Sequence, residues 1–177
     1  MKYCASTALL LFVFLVGCAS QPASVAPRVD AEGYVTLRDD PAVRFATSGW
    51  NHSDTSDPFI LTPNYLTNAL VGVTRFESGE MITQNGPRVP ATLNAQSIRG
   101  LLDQLVGDEE NFSSRSATVH GREVVIADYP NEQRSRREYA FEFEGNLIRL
   151  IIVAQHGDYF EAATAVAENI VGTISRP

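Results

Sequence analysis

The sequence predicts an α+β domain in which an antiparallel β-sheet is packed with two main helices. Three observations predict it: strand-like runs precede an amphipathic helix, a strong hairpin pattern follows it, and a second amphipathic helix ends the chain. Elements in the order strands, helix, three strands, helix are typical of helices packed on an antiparallel sheet. We therefore expect an antiparallel sheet that carries both helices.

The first residues have the three parts of a secretory signal rather than of a folded element. Lys2 gives the positive start, residues 8–16 form an apolar run, and the small residues Gly17 and Cys18 follow. The run is about half of the roughly 20 residues that a membrane-spanning helix needs. We expect an export signal that is later removed.

The end of this signal, Leu15-Val16-Gly17-Cys18, resembles the lipobox of bacterial lipoproteins. The resemblance implies that the Cys18 thiol receives a diacylglycerol and that the chain is cut after Gly17. Several acyl chains anchor a protein stably, so the lipid bilayer is an implied partner. The alternative is an ordinary secretory signal with an incidental cysteine.

The residue after the cysteine indicates the membrane to which such a lipoprotein is sorted. Lipoproteins of diderm bacteria that lack Asp at this position generally go to the outer membrane, and here the residue is Ala19. We expect a lipid-anchored envelope protein that faces the periplasm from the outer membrane in a diderm host.

The charge of the chain excludes some partners. The sequence has 14 Lys and Arg against 21 Asp and Glu, and loss of residues 1–17 moves the net charge from −7 to −8. An acidic surface argues against nucleic acid, whose binding depends on basic patches, and against broad adhesion to anionic lipid. With Cys18 acylated, the mature chain has no thiol for a disulfide.

Composition divides the chain into three parts. Residues 1–17 are the signal, 18–30 are the lipidated cysteine and a flexible tether rich in Pro, Ala and Ser, and 31–177 are one α+β domain. Twelve tether residues extend to at most roughly 40 Å, which clears the lipid headgroups.

The first half of the domain predicts strands and then a helix. Strand-like runs, each β-branched or aromatic and bounded by turn residues, are Tyr34 to Leu37, Val43 to Thr47 and Ala69 to Phe76. The stretches 51–58 and 77–90 are polar and predict long loops. A helix follows Asn94 as N-cap, with a stripe formed by Ile98, Leu101, Leu102 and Leu105 and with Gly107 as the stop.

The second half predicts three strands and the last helix. The run Arg122 to Tyr129 is a buried strand, and Glu138 to Ala154 form a hairpin in which Gly145-Asn146 make the two-residue turn. Counting outward from this turn predicts which residues lie opposite one another. Three pairs should face the core and one should be an exposed ion pair: Phe143 with Ile148, Phe141 with Leu150, Tyr139 with Ile152, and Glu142 with Arg149.

The final helix begins at Asp158, which is followed by Glu161 as in a capping box. Its apolar stripe consists of Phe160, Ala163, Ala167, Ile170, Val171 and Ile174.

The element order resembles the PsbP and Mog1-like domains over about residues 42–174. In those domains a strand leads into a Gly-Trp, here Phe45 to Gly49-Trp50, and a late hairpin precedes a C-terminal helix. The resemblance implies an accessory or binding protein. It assigns no residue a role.

Motifs of enzymes are missing from the sequence. There is no Gly-x-Ser-x-Gly elbow, no free cysteine after processing and no paired histidine spacing, and nothing predicts a cofactor or a metal. His120 and His156 each precede a glycine and are expected to flank turns. His52 with Asp54 and Asp57 could ligate a metal, but Asn, Ser, Asp and Pro are also what a solvated turn uses.

Two further features have alternative interpretations. Trp50 is either core or a binding platform, and core is favoured. The cationic cluster Arg134, Arg136 and Arg137 could receive a carboxylate or phosphate of a partner, although a solvated strand entry that neutralises Glu132 and Glu138 is favoured. The acidic run 108–110 is expected to be surface charge.

Two functions from different classes remain. The first is a non-catalytic module that binds or assembles an envelope protein partner, and the second is an envelope enzyme with an unrecognised site. The first is favoured because no catalytic constellation is visible. A deep cleft with a histidine and acidic residues would favour the enzyme, and a shallow arginine-lined surface would favour the binding module.

Overall fold

The computed structural model describes residues 27, 29–37, 43–53, 58–63, 68–106, 112–129 and 134–177. Its elements are β1 (Tyr34–Leu37), β2 (Val43–Ala46), β3 (Asn51–His52), β4 (Phe59–Thr62), β5 (Ala69–Phe76), α1 (Ala95–Val106), β6 (Ser113–Val119), β7 (Arg122–Tyr129), β8 (Ser135–Phe143), β9 (Asn146–Ala154) and α2 (Asp158–Thr173). No helix in these ranges is long and apolar enough to cross a membrane.

The strands form one large sheet and one small one. Seven strands lie in the order β3-β4-β5-β9-β8-β7-β6, and every neighbouring pair is antiparallel. Strands β1 and β2 pair with each other in a separate ribbon. An antiparallel sheet with two helices confirms the predicted α+β class.

The first face of the large sheet is covered by α2 and by the β1-β2 ribbon. The predicted stripe of α2 is buried there, with Ala163, Ala167 and Ile170 fully inaccessible. The Tyr139 hydroxyl donates to Glu168 Oε1 at 3.0 Å and so joins β8 to the helix. Burial raises the pKa of Tyr139 to about 12, with the Glu168 hydrogen bond adding to it.

The second face packs against α1 and the segment before it. Ile98, Leu101 and Leu102 are buried with Val125 and Leu147 in a second apolar cluster. Asn94 caps the helix as predicted, because its Oδ1 accepts from the Ser97 backbone N–H at 2.9 Å. The sheet is therefore buried on both faces near its centre. The expected stop at Gly107 lies outside the described residues.

The predicted hairpin exists, but its register is wrong by two residues. The turn is Glu144-Gly145, with φ of 53° and 75°, so Phe143 pairs with Asn146, Phe141 with Ile148 and Tyr139 with Leu150. A two-residue shift keeps every side chain on its face. The predicted core-facing residues are therefore buried as expected, opposite different partners.

The predicted exposed pair of Glu142 and Arg149 is also wrong. Arg149 lies opposite Ala140 and forms its ion pair with Glu138. Arg149 is 6% exposed and Glu138 is 0% exposed, so this part of the second face is interior rather than solvated. Glu142 instead accepts from the Gly145 backbone N–H at 2.6 Å.

Other differences concern short elements and one cap. The sequence prediction has no strand at β3, β4 or β6, so four strands rather than three lie between the helices. The exposed Ser-rich β6 lacks an apolar period and is specified by its pairing with β7. The capping box at Asp158 is not formed: Gly157 is the N-cap, and no side chain bonds there.

Candidate functional site

The arginine cluster lies at the start of β8. Arg134 is exposed and precedes the strand, whereas Arg136 and Arg137 are its second and third residues. Successive strand residues point to opposite faces, so Arg136 lies on the second face and Arg137 on the first. The three cations therefore surround one corner of the sheet rather than forming one patch.

On the first face, two arginines share one carboxylate. Arg137 Nε is 2.6 Å from Asp128 Oδ1, and Arg115 Nη1 is 2.7 Å from Asp128 Oδ2. Burial raises the pKa of Asp128, but the hydrogen bonds from Arg137 and Arg115 outweigh it, so this pKa lies below the ordinary carboxyl value. The Arg137 guanidinium carbon also lies 5.0 Å from the centre of the Phe160 ring.

On the second face, the same arrangement recurs with Glu138. Its carboxylate binds Arg149 and has Arg136 Nη2 at 3.6 Å from Oε2. The Arg136 guanidinium carbon lies 4.3 Å from the centre of the Tyr129 ring, a cation–π distance. Arg136 Nε is buried and has no hydrogen-bond partner.

These ion pairs leave the corner positively charged. Asp128 and Glu138 together face four guanidinium groups, and Arg134 adds a fifth cation nearby. Glu132 of the neighbouring loop lies outside the described residues. Asp128 and Glu138 compensate two of these cations, and the exposed Asp158 and Glu161 lie in the first turn of α2, next to Phe160. The excess is notable because the whole chain has a net charge of −7.

A pocket of about 180 Å³ opens at this corner. It reaches both faces at the end of β7 and the start of β8, and we call it the arginine pocket. Its lining combines guanidinium groups, hydroxyls and aromatic rings: Ser113, Asp128, Tyr129, Ser135, Arg136, Arg137 and Phe160. Rings that hold guanidinium groups by stacking leave their N–H edges available to an anion.

A second pocket of about 230 Å³ lies between the start of α1 and strands β7 and β8. Leu93, Ile98, Val125 and Ala140 form its apolar part. Neither this pocket nor the arginine pocket is lined by a histidine. The histidine-containing cleft that would favour an enzyme is not found at these two pockets.

The three histidines occupy separate places. His120 has φ of 47° in the turn between β6 and β7, and its ring lies so close to Gly172 that an added Cβ would be 3.0 Å away. His52 stacks on Phe59 with ring centres 5.7 Å apart. Exposed His156 has its Nδ1 at 3.0 Å from Ser135 Oγ, beside the arginine pocket.

The structure describes some of the remaining candidate residues and not others. Trp50 is half-buried against the first-face core. Within the described ranges, no group of three or more His, Cys, Asp or Glu side chains could hold a metal. Asp54, Asp57, Cys18 and the acidic run 108–110 lie outside those ranges, so the predictions about them stay predictions.

Sequence reasoning missed most of the pocket. Tyr129, Asp128 and Phe160 had been predicted only as strand or helix residues, and Arg115 and Ser113 belong to the strand that was not predicted. The alternation of side chains along a strand could have separated Arg136 from Arg137. Nothing local in the sequence indicates that Asp128 and Phe160 lie beside them.

Comparison with known proteins finds similar structures but no matching family model or curated relative. The solution structure of cyanobacterial PsbP (CyanoP) from Synechocystis sp. PCC 6803 is similar with a TM-score of 0.46 and 13% identity, covering 90% of this chain and 96% of that one.

A crystal structure from Bacteroides thetaiotaomicron VPI-5482 is similar with a TM-score of 0.48 and 9% identity. The match covers 87% of this chain and 49% of the other, so this chain spans about half its length. Both TM-scores lie below 0.5. Membership of the PsbP and Mog1-like domains therefore stays a prediction.

Proposed function

We propose that this protein is a lipid-anchored, non-catalytic binding module of the bacterial envelope, and that it holds an anionic group of a protein partner in the arginine pocket. The observation that carries the proposal is the excess of guanidinium groups over carboxylates at this corner of an acidic chain. A carboxylate or phosphate would complete the compensation of charge there.

The geometry supports recognition because the cations are held in place before a ligand arrives. Asp128 fixes Arg137, and the Tyr129 ring supports Arg136. A ligand then meets ordered planar donors and has less side-chain freedom to remove on binding. The rest of the acidic surface repels anions, so the partner's anionic group is directed to one place.

An envelope enzyme is the second candidate, and one contact favours it. Ser135 Oγ and His156 Nδ1 are 3.0 Å apart at the edge of the arginine pocket, as in a nucleophile and its base. His156 is exposed, however, and water there weakens the electrostatic stabilisation that catalysis needs. Binding is the better-supported function.

The two candidates separate in one assay. If Ser135 is a nucleophile, the chain hydrolyses a p-nitrophenyl ester that carries a carboxylate, and Ser135→Ala abolishes the turnover. We expect hydrolysis no faster than in buffer, with the Ser135→Ala variant indistinguishable from the parent chain. If the parent chain hydrolyses the ester and Ser135→Ala abolishes the hydrolysis, the protein is an enzyme and the binding proposal is wrong.

The anchor is part of the same proposal. The lipobox Leu15-Val16-Gly17-Cys18 supports a diacylglycerol on the Cys18 sulfur, and Ala19 supports an outer-membrane location in a diderm host. Mass spectrometry of the mature N-terminus should find an acylated Cys18 as the first residue. An unmodified Cys18, or a chain found entirely in the soluble periplasmic fraction, contradicts the anchor.

The binding site is tested by removing charge while keeping the Arg137–Asp128 and Arg149–Glu138 ion pairs. Arg137 holds Asp128, so the variant combines Arg134→Ser with Arg136→Gln and leaves Arg137 intact. The matched control combines Arg88→Ser with Arg176→Ser, which removes two exposed cations elsewhere.

A photo-crosslinker placed beside the arginine pocket at the exposed Gln155, which is not one of its lining residues, then reports partners in native membranes. We expect one envelope protein to crosslink in the parent chain and in the control variant, and to be lost in the Arg134/Arg136 variant at an equal melting temperature. Equal crosslinking in all three chains would mean that the arginine cluster does not bind the partner and is only a solvated entry to the strand.

A further inference from the structure

Strand β6 is an open edge of the large sheet. It is the last strand in the sheet order, and β7 is its one neighbour among the described strands. The pairing from Ser113 with Asp128 to Val119 with Arg122 is continuous, without a bulge. Natural edges are usually blunted by Pro, by bulges or by charged side chains; β6 has no Pro and no bulge, and its one charge, Arg115, is paired with Asp128.

The turn after β6 fixes which backbone groups point outward. His120 and Gly121, with φ of 47° and 79°, form a two-residue turn closed by Val119 and Arg122. In such a hairpin the closing pair exchanges hydrogen bonds, and every second residue does the same. The odd-numbered residues of β6 therefore bond to β7, and the backbone groups of Ser114, Ser116 and Thr118 point away from the sheet.

One contact supports this assignment. The Arg99 side chain of α1 donates to the Ser114 carbonyl oxygen, and its Nε donates to Ser114 Oγ at 3.0 Å. That carbonyl must therefore face outward. Ser116 and Thr118 are exposed, and neither backbone has a partner on the outer side among the described residues. Their N–H and C=O groups have the spacing that a further antiparallel strand would pair with.

Strand β6 begins at the arginine pocket, and its first outward carbonyl, at Ser114, is held by Arg99. Ser113 is both the first residue of β6 and part of the pocket lining. Its neighbour across the ladder is Asp128, which in turn pairs with Arg137. Arg115, with 52% of its side chain exposed, stands on β6 itself. A strand laid along β6 would thus bring its last residues to the excess positive charge.

We infer that β6 receives an extended acidic segment of the partner protein as an added antiparallel strand, with a carboxylate at the end of that segment seated in the arginine pocket. The inference rests on the proposed function and specifies the partner's chemistry. Main-chain hydrogen bonds to Ser116 and Thr118 supply sequence-tolerant affinity, and the pocket selects acidic segments. The charge of the corner favours this occupant over a second copy of the chain, whose β6 edge carries the same cation.

The test blocks the outer edge without breaking the ladder to β7. Ser116→Pro removes one outward N–H, and proline is tolerated in edge strands when its nitrogen faces solvent. Ser116→Ala is the matched control because it changes the side chain and keeps the backbone donor. Thr118→Pro repeats the block at the next outward residue, so the test survives if one variant folds poorly.

The probe is an amidated peptide of about eight residues, the length of a common strand, that alternates threonine and valine and ends in two glutamates. Its control ends in two glutamines. Binding to the detergent-solubilised mature chain is measured by calorimetry, and amide hydrogen exchange is followed at Ser116 and Thr118. We expect the glutamate peptide to bind and to slow exchange at both amides. Each proline variant should weaken binding at least about tenfold, or about 1.4 kcal/mol, and Ser116→Ala should not.

The other outcomes separate the two proposals. Proline variants that bind like the parent, together with loss of binding in the Arg134/Arg136 variant, would overturn strand addition and leave the anion site standing. Binding that neither change affects would overturn both. Absence of binding, or a dimer that Ser116→Pro dissociates without peptide, would overturn the acidic segment as the occupant.

Discussion

Glu138 of β8 and Arg149 of β9 form an ion pair in the interior of the second sheet face. Arg149 Nη2 donates to Glu138 Oε2 at 3.0 Å, and Arg149 Nε donates to Oε1. The Arg149 guanidinium carbon also lies 5.8 Å from the centre of the Phe76 ring. With the carboxylate fully buried, removing either partner leaves an uncompensated charge.

Glu138→Ala should therefore lower the free energy of unfolding by about 3 to 5 kcal/mol. Glu142→Ala, on the same strand face but exposed, should cost about 1 kcal/mol, the value of its one hydrogen bond to the Gly145 backbone. Denaturant titration of both variants measures the difference. A larger loss of stability from Glu142→Ala would contradict the observed register and favour the one in which Glu142 lies opposite Arg149.

Phe141→Ala should cost about 3 to 5 kcal/mol, because Phe141 is 0% exposed and its removal leaves a cavity opposite Ile148. The Arg122 guanidinium carbon, 5.4 Å from its ring centre, loses a partner at the same time. The control is Met81→Ala, since Met81 is 46% exposed and its removal should change stability little. Equal midpoints for the two variants in urea would contradict the packing of the first face.

Gly100→Ala should stabilise the protein by about 0.5 to 1 kcal/mol, because Gly100 lies within α1 and an added Cβ meets nothing within 4 Å. Gly145→Ala should destabilise it by about 1 to 2 kcal/mol, since the turn holds Gly145 at φ of 75°. Thermal melts of the two variants should move in opposite directions. A destabilised Gly100→Ala would mean that the exposed side of α1 is in contact with another part of the chain.

The pH dependence of stability should reveal Asp128. Its folded-state pKa lies below the unfolded value of about 3.9, so the ion pairs with Arg137 and Arg115 stabilise the fold above that pH and are lost as the pH falls through the folded-state pKa. Asp128→Asn should lower stability at neutral pH, and the difference from the parent chain should close below about pH 4. The control is the exposed Asp103→Asn, which should change stability little at neutral pH. A gap for Asp128→Asn that persists at low pH would contradict a role for its charge.

Periodicity predicted the burial of the hairpin better than its pairing. The alternation of Tyr139, Phe141 and Phe143 placed all three on the core face, as found. The turn was misplaced because Gly145-Asn146 has the favoured composition, yet Asn146 belongs to β9. There its Oδ1 accepts from Arg75 Nη2 at 3.1 Å, a contact 71 residues away in sequence. Local patterns carry no information about such a partner.

The candidate site was predictable to a smaller extent. The density of arginine at 134–137 stood out in an acidic chain, and Arg136 and Arg137 do line a pocket. The alternative, a solvated strand entry that neutralises Glu132 and Glu138, stays a prediction: Arg136 lies near Glu138, which is buried, and Glu132 lies outside the described residues. The sequence does not indicate that Asp128 of β7 and Phe160 of α2 lie beside the cluster. Long-range pairing alone makes the pocket.

The place of β9 in the sheet governs when the chain can complete its fold. Strands β3, β4 and β5 join strands β6, β7 and β8 through β9, which begins at Asn146. A chain made from its N-terminus therefore cannot close the sheet until its C-terminal segment has been synthesised, and contacts between such distant segments form slowly. If the chain is exported as proposed, this delay would leave β3, β4 and β5 without their sheet partner until the C-terminal segment has emerged.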